Sequence, residues 1–213
     1  MKKFAIGFLL IFLDFNLNFN QASLNVLPDF VGYYLLLQGT KEMDRESSLF
    51  AGPRPFMVVM IVYTAVLWLG ALLNVGGGVL GMVLSIIAQV VHFYIAWVLV
   101  QALREMEQNH GADLYGSVLL SRWKIMLGIN VAIQLLRVLA SVGTIRIVMT
   151  IATVLVLAAL IWAFLFVLGW NRAANLWEEL QAKPAAETGA ADVGNSAENT
   201  EEPEAESNPA EEE

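Results

Sequence analysis

The sequence predicts an all-α fold: a polytopic transmembrane helix bundle of four full helices plus a short N-terminal helical hairpin, with a disordered C-terminal tail. Three observations predict it. Of the 213 residues, 57% are hydrophobic, above the ~45–50% usual for a soluble globular chain. The excess falls in long runs, and runs diagnose membrane spans better than averages do. The basic residues fall between those runs in a regular alternation.

Six approximate segments follow in chain order: 4–17, 24–38, 56–74, 79–103, 125–141 and 145–170. The last four approach or exceed the ~20 residues that carry a helix across ~30 Å of hydrocarbon. The first two are shorter, ~21–23 Å at 1.5 Å per residue, and read either as thin, tilted crossings or as a re-entrant hairpin. Pro28 and Asp29 suit a helix start, since proline lacks the N–H that the first turn leaves unused and a carboxylate favours the positive helix end. Gly39 suits a helix stop. The Met1-Lys2-Lys3 start before an apolar run has the form of a secretory signal ending at Ala22. Asn20 occupies the position where cleavage needs a small residue, and Asp14 and Asn16 follow the apolar run directly, so a retained segment is the expectation.

Short, uncharged connections join segments one to two, three to four and five to six; Gly76-Gly77-Gly78 in the second of these reads as a tight helix–helix turn. The other connections are charged. Lys2, Lys3, Lys41, Arg45, Arg54, Arg104, Arg122, Lys124, Arg172 and Lys183 all fall on one side if the chain crosses six times. Lysine and arginine in short loops stay cytoplasmic, which predicts an integral protein of the cytoplasmic membrane with both termini inside. The transmembrane domain spans 1–182. Trp170 and Trp177 read as interfacial anchors beside an amphipathic stretch, 175–182. Residues 183–213 form an acidic tail: from 184 onward it holds nine Glu and Asp192, with no Lys or Arg. Such a segment buries too little apolar surface to offset chain entropy. Removing those ten acids from the twenty in the chain leaves ten against twelve basic residues, so the net charge of −8 belongs to the tail.

Several functions lack the residues they need. There is no cysteine, which excludes disulfides, thiolate metal sites and thiol catalysis. Glu105, Glu107, His110 and Asp113 have ligand types without ligand spacing and read as a solvated loop. Basic residues are few and scattered, which argues against nucleic acid. No metal or cofactor is expected.

Charges inside apolar segments are costly and usually face protein or water. Asp14, Asp29, Arg137 and Arg146 share a depth toward the outer side and read as one charge network, in which arginine forks bond carboxylates. Ser85, Gln89 and His92 recur on one face of the fourth segment, and Asn130 and Gln134 on one face of the fifth. These stripes predict a polar seam inside the bundle, either for interhelical hydrogen bonding or as a solute path. His92, with Tyr94 and Gln89, has the makings of a proton relay.

The N-terminal pattern Asp14-Phe15-Asn16, then Leu27-Pro28-Asp29-Phe30, Gly32, Tyr33 and Gly39, resembles that of uncharacterised small bacterial multi-pass membrane proteins. The resemblance covers about a fifth of the chain and implies no activity. It marks the first hairpin as the distinctive part. The expected function is non-enzymatic: scaffolding or regulating a membrane protein partner through the cytoplasmic loops or the acidic tail. The alternative is a small-solute or ion transporter or channel component that uses the polar seam.

Overall fold

The computed structural model describes the backbone of residues 1–12, 16–19, 22–25, 29–72, 78–142 and 146–197, and the side chains of 1–12, 29–70, 83–136 and 150–182. Among these, the architecture rests on six helices: α1 (Lys2–Phe12), α2 (Asp29–Glu42), α3 (Arg54–Leu72), α4 (Gly78–His110), α5 (Gly116–Val142) and α6 (Arg146–Ala197). Among the described residues four stretches are long and apolar enough to cross a membrane: Ser48–Gly70, which begins just ahead of α3, and Val83–His110, Gly116–Leu136 and Thr150–Ala182 within α4, α5 and α6. Two compact units divide the chain, Met1–Leu176 and Trp177–Glu213. The second contains the continuation of α6; the expected tail, 183–213, has its side chains outside the described residues.

The hairpin is shorter in helix than its apolar runs. α1 stops at Phe12 rather than residue 17, and α2 starts at Asp29 rather than 24. Between them the backbone of β1 (Asn16–Phe19) pairs antiparallel with β2 (Ala22–Asn25), Asn16 opposite Asn25. Asparagine competes for backbone hydrogen bonds and disfavours helix interiors, and this connection contains four of them. At 1.5 Å per residue α1 and α2 are ~16 and ~21 Å long, so neither crosses ~30 Å of hydrocarbon as a helix.

α1 is nonetheless central. Phe4 and Phe8 are fully buried. The Phe4 ring stacks on Phe50 at 5.6 Å and meets Trp170 at 5.1 Å. Phe8 meets Phe166 edge-on at 5.2 Å, and Phe12 meets His92 at 5.2 Å. Trp170 is therefore a core residue, not the expected interfacial anchor, and Trp177 is likewise buried. In lipid the apolar effect does not drive helices together, so close packing of this kind must hold them.

α2 lies antiparallel to α1. Lys3 Nζ donates to Gln38 Oε1 at 3.0 Å and pairs with Glu42. Glycines let the backbones approach: a Cβ on Gly32 would lie 2.7 Å from the Gly7 carbonyl oxygen. Gly39 does not end the helix as expected. It sits inside α2, where a Cβ would meet the Phe4 ring at 2.8 Å.

The charged connections are also more ordered than the sequence suggests. Ser47 caps a 3-10 turn, Ser48–Ala51, by accepting from Leu49 N. α4 runs seven residues past 103, and α5 starts at Gly116 rather than 125. Buried Leu103, Met106, Leu114 and Leu119 explain this, because the apolar face continues past the charged positions. Gly111, at φ +59°, ends α4, and Ala112 N donates to Glu107 O, a Schellman closure.

Candidate functional site

The four walls of the candidate site come from α1, α2, α3 and α4. A cavity of about 370 Å³ lies among them, with Asp29, Tyr33, Tyr63, Ser85, Gln89 and His92 as its polar lining. Ile11, Phe12, Met60 and Leu67 supply apolar wall. Asp29 opens α2, where its charge suits the helix start. Tyr33 follows one turn later on the same face. Thr64 also lines the cavity, but its hydroxyl donates back to Met60 O at 2.7 Å.

Tyr33 and His92 are the buried centre of this lining. The phenol and imidazole Nδ1 share a hydrogen bond of 2.9 Å, and both residues are buried. His92 Nε2 and the Tyr63 hydroxyl are buried without a hydrogen-bond partner among the described residues. Buried polar atoms are almost always paired, so these two are donor or acceptor groups that the described side chains leave unmatched. Phe8, Phe12 and Phe93 close around the imidazole at 5.2–6.5 Å, edge to face.

Gln89 continues the polar lining through the bundle. Its Nε2 donates to Asn130 Oδ1 at 3.4 Å, and Asn130 Nδ2 donates to Met126 O at 3.0 Å. Beyond it, a second cavity of about 240 Å³ is bordered by Phe12, Met126, Asn130, Gln134 and Ala163. A third, of about 500 Å³, opens between α4 and α5 and is lined mainly by apolar and aromatic side chains, including Trp97 and Trp123. Gln89 borders all three. The five seam residues thus meet around neighbouring cavities: Ser85, Gln89 and His92 at the first, Gln89, Asn130 and Gln134 at the other two.

The relay expected between His92 and Tyr94 does not form. Tyr94, two residues along the helix, points away and packs on Phe56 at 5.0 Å, because residues two apart on a helix do not share a face. Tyr33 takes that place, 59 positions away in sequence. Of the charge network, Asp29 lies at the cavity. Asp14 and the side chains of Arg137 and Arg146 lie outside the described residues.

The acidic cluster near residue 110 ties the connecting segments together. Glu107 Oε1 accepts from Leu114 N at 2.9 Å and from Gly116 N at 2.6 Å, which meets the first free N–H of α5 and that of the residue before its cap. His110 pairs with Glu46 at 2.9 Å, Glu105 accepts from Ser47, and Asp113 accepts from Tyr115 N. Among the described residues no three His, Asp or Glu side chains converge as a metal site would require. The chain matches no protein-family model, no curated protein and no solved structure.

Proposed function

We propose that this helical membrane protein binds a small polar solute in the cavity between its N-terminal hairpin and α3–α4, as a transporter or channel component. The observation that carries this reading is the contrast between cavities. The one behind the hairpin is lined by a carboxylate, two phenols, two hydroxyls, an amide and an imidazole, whereas the groove between α4 and α5 is lined mainly by apolar and aromatic side chains, with three amides and no ionisable carboxylate or imidazole. Polar groups inside a membrane bundle are costly and concentrate on solute pathways. Half-length helices whose ends border a cavity are a further mark of such sites. Asp14, Arg137 and Arg146 are proposed to complete the charge balance around Asp29.

We place the charged end of the bundle in the cytoplasm, following the lysine and arginine distribution. The alternative, scaffolding through the acidic tail, rests on residues 183–213, whose side chains are outside the described set, so the cavity favours the solute reading.

The absence of native cysteine makes the test direct. Single cysteines at positions 63, 85, 89 and 92, in native membranes, should react with a small water-soluble thiol reagent. Cysteines at the exposed apolar positions 59 and 62 should not. Protection of all four cavity positions in folded protein sinks the solute reading.

A further inference from the structure

A cluster of two arginines and a tyrosine lies at the charged end, where α5 and α6 meet. Arg122 Cζ lies 5.4 Å from the centroid of the Tyr115 ring, and Arg172 Cζ lies 5.2 Å from it. Two guanidinium groups thus share one phenol ring. Arg122 also donates from Nη2 to the Tyr115 hydroxyl at 3.2 Å and from Nη1 to Leu165 O. Among the described residues neither arginine has a carboxylate within ion-pair distance.

The ring that gathers them is held in place. Tyr115 adopts φ +73°, a left-handed conformation uncommon for a bulky residue and maintained only by its surroundings. Asp113 Oδ1 accepts from Tyr115 N, and Glu107 Oε1 accepts from the backbone N–H on either side. The cation pair is therefore preorganised, and among the described residues the nearby carboxylates of Glu107 and Asp113 are spent on backbone N–H groups.

An exposed apolar stripe leads to the cation pair. Leu157, Ile161, Phe164 and Leu168 are exposed large apolar residues on α6, spaced 4, 3 and 4, so they form one stripe. Arg172, also exposed, follows Leu168 by another four residues and ends that stripe. An acyl chain laid along the stripe would bring a headgroup phosphate to Arg172. Arginine forks match phosphate oxygens, and basic pockets between membrane helices are a known chemistry for anionic headgroups.

We infer that the Arg122–Tyr115–Arg172 cluster binds the phosphodiester of an anionic phospholipid whose acyl chain lies along the exposed stripe of α6. The test uses the full chain in neutral detergent, with melting temperature and native mass spectrometry as readouts. Phosphatidylglycerol should raise the melting temperature and remain bound, whereas phosphatidylcholine at equal concentration should do neither. Arg172→Gln should weaken phosphatidylglycerol binding by roughly tenfold, the scale of one charge-assisted hydrogen bond. This variant should still fold, since Arg172 is exposed and its one contact named among the described residues is with the face of the Tyr115 ring. Lys124→Gln, an exposed base on α5, should bind as the parent chain does. Equal response to both lipids, or equal loss in Lys124→Gln, overturns the site in favour of diffuse surface attraction. Displacement of the lipid by inorganic phosphate at similar concentration overturns the lipid assignment in favour of a free anion.

Discussion

At the scale of the residue, the bond between Tyr33 and His92 joins the N-terminal hairpin to α4. Both partners are buried, so losing one leaves the other with an unmet polar atom. Tyr33→Phe should destabilise the protein by about 1–3 kcal/mol, read as a lower unfolding midpoint in detergent. A cycle with His92→Phe should return part of that loss, because the double variant buries no orphan. Strictly additive losses would show that the 2.9 Å contact contributes nothing. His92 was legible in sequence as a polar position on an apolar helix, and the spacing of 4 and 3 from Ser85 through Gln89 placed it on a shared face. Its partner was not. Helical spacing ranks neighbours within a segment and carries no information about a residue 59 positions away, so the nearby Tyr94 drew the expectation.

At the scale of the element, glycine decides how close α1 and α2 lie. Gly32→Ala puts a Cβ 2.7 Å from the Gly7 carbonyl oxygen and 2.6 Å from Ile11. Backbone on one side leaves little room to relax, so a cost of about 1–3 kcal/mol is expected. Gly70→Ala and Gly128→Ala meet nothing within 4 Å and should be neutral or slightly stabilising, since alanine is the better helix former. Thermal unfolding of the three variants side by side checks this; equal stability of all three removes the glycine contact from the account. Glycine is enriched where helices end, so in the sequence Gly39 has the appearance of a helix stop. A buried glycine facing a ring has the same letter, and only the position of Phe4 separates the two roles. The helix ends at 110 and 116 were missed for a related reason. Charges from Arg104 onward end the apolar run without ending the hydrogen-bonded helix.

At the scale of the whole molecule, contacts gather the charged segments at one end. Lys3 meets Glu42, Glu46 meets His110, Ser47 meets Glu105, and Arg172 meets the Tyr115 ring. Single cysteines at 45, 109 and 121 should therefore be labelled from one face of the membrane, and cysteines at 75 and 143 from the other. Labelling of 45 and 109 from opposite faces would refute the even-crossing topology. The sequence by itself determined membrane insertion, the four long apolar helices, the brevity of the first two segments and the alternation of charge, because each follows from local composition measured against the thickness of a bilayer. Only the tertiary structure decided that α1 is a buried core helix, that its hairpin walls a polar cavity against α3 and α4, and that two arginines converge on one tyrosine. Those are facts of approach between segments distant in sequence, and local composition fixes what a segment can tolerate beside it without fixing which neighbour arrives.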